Sequence, residues 1–146
     1  MSNSVVVGLD GSAGGEKALA YAKAHVSAAT ACKIVVCYVI EWSPFSFQTA
    51  EENEQRHKRR EEEIALAQER VVNPALKALS DAGFDAEGVV KHGDVASILE
   101  KVAKDKGASQ IIVARKGDSS LKQRIFGSVT GNLVASSTLP VTVIPA

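Results

Sequence analysis

The sequence predicts an α/β fold in which a five-stranded parallel sheet is covered by helices on both faces. Short runs rich in Val and Ile alternate with longer segments in which apolar residues recur at helical spacing. The runs are apolar on successive residues, which is typical of strands buried on both faces of a parallel sheet. Strict alternation of strand and helix favours parallel pairing through right-handed crossovers. The 146 residues, of which 45% are hydrophobic, suit a single domain spanning residues 1–146.

The first quarter of the chain contains two predicted strands separated by a helix. Residues 4–9 (SVVVGL) form the first strand, and residues 33–40 (KIVVCYVI) form the second. Residues 13–30 between them are rich in alanine, the strongest helix former, with apolar side chains on one stripe. A loop with a proline and three aromatic residues follows at 41–50.

A long, strongly charged helix is predicted over residues 51–82. Its first turns mix acidic and basic side chains at short spacing, a pattern that stabilises exposed helices through pairs four residues apart. A basic patch for nucleic acid around residues 56–60 is the alternative, but acidic residues flank it on both sides. Pro74 lies inside the segment and predicts a kink or a break.

The remainder of the chain repeats the alternation of strand and helix. Gly107 is expected to end one of these helices as a cap. Proline at each end of the last strand favours a short or edge position in the sheet. The remaining predicted elements are strands at 85–91, 110–114 and 140–145 and helices at 95–106 and 128–137.

Composition argues against several classes of partner. The 17 basic and 17 acidic side chains balance, so no global charge attracts nucleic acid or a membrane surface. No signal peptide or membrane span is evident, and Cys32 and Cys37 do not make a disulfide framework, so a cytoplasmic location is expected. The histidines lack a second ligand at metal-binding spacing, and no protein metal site is predicted.

Open parallel sheets bind ligands beyond the carboxyl ends of their strands, at the point where strand order reverses. The loops after Leu9, Ile40 and Ala114 are therefore the candidate binding loops. Asp10 follows the first strand, where a carboxylate could accept hydrogen bonds from sugar hydroxyls. An Asx turn or a helix N-cap explains Asp10 equally well. Neither a P-loop nor a G-x-G-x-x-G motif is present.

The segment 114–130 begins at the end of a strand and finishes at the start of a helix. Gly127 would let the backbone approach a ligand closely, and Ser128 and Thr130 would place hydroxyls beside the free amides of the first helical turn. Such amides, together with the positive end of the helix dipole, attract anions, and Lys116 adds positive charge nearby. This predicts a phosphate site, although Ser128 could also serve only as a helix cap.

Three segments resemble the universal stress protein family: VVVGLDGSAGGEKALAYA, GDVASILEKVAKDKGASQIIVA and GSVTGNLVASSTLPVTVIP. Nucleotide-binding members carry G-x2-G-x9-G-(S/T), and this sequence reads Ala114-x2-Gly117-x9-Gly127-Ser128. The spacing is kept, but Ala114 replaces the first glycine. The resemblance implies a Rossmann-like fold of the adenine nucleotide α-hydrolase type, with strand order 3-2-1-4-5.

The resemblance also implies ATP as the ligand, accompanied by Mg²⁺ on its phosphates. Asp10 would meet the ribose or the adenine edge, and Val39 would offer backbone groups to the adenine. Ala114 would weaken binding if a glycine is needed for close approach, but an extended backbone would tolerate it. The residues implied in nucleotide binding are Leu9, Asp10, Val39, Ala114, Lys116, Gly117, Gly127, Ser128, Val129 and Thr130.

The last strand, Val141 to Ile144, resembles the family's dimer-forming edge and implies a homodimer paired through this strand. The function implied is a regulatory stress-response module that acts through nucleotide-dependent conformation and protein partners, rather than an enzyme. Two alternatives remain open at the level of sequence: a nucleotide-free dimeric scaffold, and slow ATP hydrolysis.

Overall fold

The computed structural model describes residues 4–9, 13–26, 32–41, 50–114 and 128–145. Five parallel strands form one sheet in the order β3-β2-β1-β4-β5. The predicted α/β fold and the strand order 3-2-1-4-5 are confirmed. The strands are β1 (Ser4–Leu9), β2 (Lys33–Glu41), β3 (Asp85–Gly93), β4 (Ala108–Ala114) and β5 (Val141–Ile144). The helices are α1 (Ala13–His25), α2 (Ala50–Ala67), α3 (Asn73–Asp81), α4 (Val95–Asp105) and α5 (Ser128–Ser136), with a π-helical turn at Gln68–Val72 between α2 and α3.

Strand β1 lies at the centre of the sheet and is buried on both faces. It pairs with β2 from Ser4 to Leu9 on one side and with β4 on the other. Its side chains alternate between two cores, which is why its sequence is apolar on successive residues. Val5 and Val7 lie in the first core, and Val6 lies in the second.

The two cores separate the helices into two layers. Helices α1 and α3 cover the first core, and α4 and α5 cover the second. This division follows from right-handed crossovers, because the connections from β1 to β2 to β3 run in one direction and those from β3 to β4 to β5 run in the other. Leu79 of α3 and Leu99 of α4 are fully buried anchors of their respective layers.

Pro74 interrupts the long helix that the sequence predicted over residues 51–82. A proline ring collides with the carbonyl four residues earlier, and the helix widens into a π turn over Gln68–Val72. The Asn73 N–H donates to the Gln68 carbonyl oxygen, and the Gln68 side-chain amide donates to Asn73 Oδ1 at 2.8 Å. Helix α3 then starts afresh with proline in its first turn.

The wide turn packs against β3 at a glycine. A Cβ atom built on Gly88 would overlap Val72 Cγ1 and lie 3.1 Å from Leu76 Cδ1. Only hydrogen fits between this helix and the strand, so Gly88 sets how closely the π turn approaches the sheet.

Helix α4 has the clearest end signals. Asp94 caps its first turn by accepting from the Ser97 N–H at 3.1 Å and from Ser97 Oγ at 2.8 Å. Gly107 follows the helix with φ of +66°, as the sequence predicted for a C-terminal cap. Helix α1 ends at His25, earlier than the predicted residue 30, and residues 27–31 lie outside the described part.

Candidate functional site

The connections of the sheet reverse direction between β1 and β4. Strands β2 and β3 lie on one side of β1, and β4 and β5 lie on the other. Val7 of β1 pairs with Ile112 of β4, so Leu9 and Ala114, the last residues of these strands, meet at the carboxyl edge. This is the position at which open parallel sheets form a ligand crevice.

Ala114 has an extended backbone because it still belongs to β4, where it pairs with Ile144. Its half-buried side chain packs against the first core. A residue in an extended strand needs no positive φ, so replacement of the expected glycine introduces no backbone strain here.

Strand β2 extends beyond the end of β1. Pairing between the two strands ends at Leu9 opposite Tyr38, whereas Val39, Ile40 and Glu41 continue to pair with β3. On the β1 side, these residues have no strand partner within the described ranges. Any backbone groups that this extension directs toward the β1 side lie beyond its pairing with β1 and can serve a planar ligand with hydrogen-bonding edges.

Two glycines let helices approach β1 closely. A Cβ on Gly8 would lie 3.1 Å from both Leu99 Cδ1 and Val113 Cγ1, and a Cβ on Gly15 would lie 3.0 Å from Leu9 Cδ2. The first turn of α1 is thereby held against the carboxyl end of β1. The positive end of its dipole lies beside the same edge of the sheet.

Helix α5 begins at Ser128, as predicted, so the backbone of Ser128, Val129 and Thr130 forms its first turn. The first amides of a helix have no partner within the helix and can bind an anion. The side chains of these three residues lie outside the described part of the structure. Four further predicted site residues, Asp10, Lys116, Gly117 and Gly127, also lie outside the described ranges.

A histidine at the carboxyl edge has a partner that sequence spacing did not reveal. His92, opposite Ile40 near the end of β3, places Nε2 3.1 Å from Glu63 Oε2 of α2. The His92 side chain is 9% exposed. The contact joins the charged helix to the sheet across 29 residues of sequence, and no local pattern predicts such a pair.

The described groups with shifted pKa values have structural causes. Burial raises the pKa of the Cys37 thiol to about 12, although Lys91 acts in the opposite direction. Burial also raises the pKa of Cys32. Both thiols are therefore poor nucleophiles at neutral pH. Hydrogen bonds from the Thr138 N–H and hydroxyl lower the pKa of Glu100 and connect α4 to the turn before β5.

Two other kinds of feature are absent from the described ranges. No three His, Cys, Asp or Glu side chains in these ranges converge on a possible metal position. No helix in the described part is both long and apolar enough to cross a bilayer.

The sequence model of the universal stress protein family matches residues 1–145. The chain belongs to the universal stress protein family. A curated member, universal stress protein MJ0577 of Methanocaldococcus jannaschii, is 34% identical over 93 residues, which cover 64% of this chain and 54% of that protein. Universal stress protein YxiE of Bacillus subtilis is 32% identical over 75 residues, covering 51% of each chain. The chain thus spans about half the length of the curated relatives it matches.

Solved structures of universal stress proteins share the fold over nearly the whole chain. The structure of MJ0577 superposes with a TM-score of 0.79 at 24% identity, covering 99% of this chain and 96% of that one. A universal stress protein in complex with cAMP superposes with a TM-score of 0.64 at 25% identity, covering 98% and 96%. The family model and the solved structures thus agree on the architecture that positions the crevice.

Proposed function

We propose that this chain is a nucleotide-binding regulatory universal stress protein that holds ATP at the carboxyl edge of β1, β2 and β4. The observation that carries the proposal is the geometry of this edge. The reversal point brings Leu9 and Ala114 together, while the extension of β2 presents backbone groups above them. The complex of a related universal stress protein with cAMP supports an adenine nucleotide as the ligand class.

Each part of the edge suits a different part of the nucleotide. The extended backbone at Val39 would offer donors and acceptors to the adenine edge, the role that the family resemblance implies for this residue. Asp10, directly after β1, is assigned to the ribose or adenine. The amides that begin α5 at Ser128 suit the phosphates, with Gly117, Gly127 and Lys116 completing the proposed loop.

A magnesium ion would accompany the phosphates. Mg²⁺ binds through phosphate oxygens and retained waters and needs few protein ligands, so the bound phosphates would supply much of its coordination. Ala114 is compatible with this arrangement because its extended backbone keeps the geometry that a glycine would have in the strand. Conformational change and partner recruitment, rather than catalysis, are the proposed consequences of binding.

The test is calorimetry with ATP and Mg²⁺ on the double variant Gly127→Val with Ser128→Ala. Loss of binding is expected, because a branched side chain would block close approach and a hydroxyl would be removed from the first turn of α5. Ser136→Ala, at the other end of the same helix, is the matched control and should bind as the parent does. Equal ATP affinity in the double variant and the parent would refute the proposed loop.

We also propose that two copies pair through β5. This strand pairs with β4 on one side, and its other edge has no strand partner in the described ranges. Val141 and Val143 pack on the second core while Ile144 packs on the first, so the outer edge offers backbone groups between two apolar rows. A native mass spectrum should show a dimer with bound nucleotide mass, whereas a monomer would contradict the pairing.

A further inference from the structure

Strand β3 forms the edge of the sheet opposite to β5. It pairs with β2 along its nine residues, and its other edge has no strand partner in the described ranges. The π turn packs on one face of β3 at Gly88, and Val89 packs against the second core on the other face. Most residues of β3 are nevertheless only half-buried. The unpaired edge is therefore the surface through which β3 can contact a further strand.

The acidic and basic side chains on one face of β3 are separated along the strand. Asp85 and Glu87 lie toward its amino end, and Lys91 lies toward its carboxyl end. All three belong to the face of Val89, because side chains alternate along a strand. Lys91 accordingly lowers the pKa of Cys37, a residue of the second core, against the effect of burial. An antiparallel pair of β3 strands would bring the acidic end of each copy to the basic end of the other. Parallel pairing in register would set like charges opposite each other, which is destabilising.

Two of these three charged side chains lack an ion-pair partner in the described part of the chain. Glu87 is already paired, because it contacts Lys106 and its Oε2 lies 3.6 Å from Lys33 Nζ. Asp85 and Lys91 are exposed, and neither forms an ion pair with another residue of the described ranges. Asp85 and Lys91 are therefore the two charges on this face that a second strand could pair.

One register of antiparallel pairing joins these two charges. Asp85 and Lys91 lie at equal distances along the sequence on either side of Gly88, so a two-fold axis at Gly88 places Asp85 of each copy directly opposite Lys91 of the other. The Cβ atoms of directly opposite residues lie about 4.5–5.5 Å apart, which is within reach of an ion pair. An axis at Val89 would instead set Lys91 opposite Glu87, which already has two lysine partners.

We propose that two copies of this chain pair antiparallel through β3, with Gly88 on the two-fold axis and Asp85 of each copy opposite Lys91 of the other. On the opposite face of the sheet, Val90 of each copy would lie opposite Ala86 of the other, which forms an apolar pair. Charges on an edge strand ordinarily discourage pairing with other chains. Here they favour a strand with the complementary arrangement, which a second copy supplies. The interface is separate from the pairing proposed at β5, because β3 and β5 are opposite edges of the sheet.

The experiment measures the size of the assembly by native mass spectrometry and sedimentation velocity in two charge-reversed variants. Lys91→Asp sets carboxylates opposite each other at both ends of the strand pair, and Asp85→Lys sets ammonium groups opposite each other. Each variant alone should raise the dissociation constant of the β3 pairing about tenfold or more, because two attractive pairs become two repulsive ones. A 1:1 mixture of the two variants should regain the assembly size of the parent, since each variant supplies the charge that the other needs.

A matched control separates the β3 edge from general effects of charge. Lys101→Asp makes the same change at an exposed residue of α4 and should leave the assembly size of the parent unchanged. None of these substitutions alters β5, so an assembly that persists in each single variant reports on β5, and the recovery in the mixture reports on β3. Equal assembly sizes in Lys91→Asp and the parent, or no recovery in the mixture, would overturn the proposal and exclude a second copy as the partner of this edge.

Discussion

The contact between the π turn and β3 gives a sharp test of the packing. Replacing Gly88 with alanine would place a methyl group into Val72 Cγ1 and within 3.1 Å of Leu76 Cδ1. Val72 is fully buried, so it cannot swing into solvent to relieve the overlap. The methyl would sit about 1 Å closer than the ~3.5 Å at which carbon atoms normally meet, and the helix or the strand must shift.

Overpacking of this kind costs about 1–3 kcal/mol. Against it stands a gain of about 0.5–1 kcal/mol, because alanine loses less backbone entropy than glycine on folding. We therefore expect Gly88→Ala to lower the free energy of unfolding by about 1–2 kcal/mol. For a chain of this size that corresponds to a fall in Tm of roughly 2–8 °C. Urea titration followed by circular dichroism measures the first quantity, and a thermal scan measures the second.

Gly131→Ala is the matched control. Gly131 lies within α5, and a Cβ there would meet nothing within 4 Å. The same substitution should raise stability by about 0.5–1 kcal/mol, because glycine is a poor helix residue. Adding Val72→Ala to Gly88→Ala should cost less than the sum of the two single changes, since one relieves the overlap made by the other. A neutral Gly88→Ala, or strict additivity with Val72→Ala, would refute the close contact.

Three further predictions test local interactions. Asp94→Ala removes the acceptor for Ser97 at the start of α4 and should cost about 0.5–2 kcal/mol in urea titration; no measurable loss would contradict the cap. Hydrogen bonding to Lys106 lowers the pKa of Glu87, so its contribution to stability is present above the ordinary carboxyl value of 4.5 and is lost as the pH falls through the lower, folded value. In Glu87→Gln, the free energy of unfolding should fall less steeply as the pH is lowered below 4.5. An unchanged pH dependence would show that the Glu87–Lys106 pair contributes nothing to stability. The Cys37 thiol, fully buried with a pKa of about 12, should resist iodoacetamide at pH 8 in the folded protein and react in urea; mass spectrometry showing labelling of folded protein would contradict its burial.

The strands could be predicted because the burial of each strand is reflected in the apolar residues of its own short segment. A strand buried on both faces needs successive apolar residues, and β1 and β2 show this directly. Strand β4 was predicted to start at residue 110 but starts at Ala108, because pairing of Ala108 with Ser4 extends it beyond its apolar run. Strand β3 reaches Gly93 rather than 91 for a similar reason, since it pairs with β2 along its full length.

The candidate site was only partly predictable. Its place at the carboxyl edge follows from strand order, and the start of α5 at Ser128 follows from the glycine and hydroxyl before an apolar stripe. The extension of β2 past Leu9 depends on the relative lengths of two paired strands, which no local pattern records.

The central position of β1 in the sheet affects how the chain folds during synthesis. One of its neighbours in the sheet, β2, follows soon after it in the chain. Its other neighbour, β4, lies far along the chain, and Ser109 Oγ donates to the Ser4 carbonyl oxygen across 105 residues. During synthesis, the unit containing β1, β2 and β3 emerges first and leaves one edge of the apolar strand β1 unpaired until β4 arrives. Pairing across such a distance is slow, and an uncovered apolar strand can join a neighbouring nascent chain instead. The yield of folded protein on expression should therefore depend strongly on translation rate and temperature. The thermodynamic stability of the folded sheet alone does not predict this dependence.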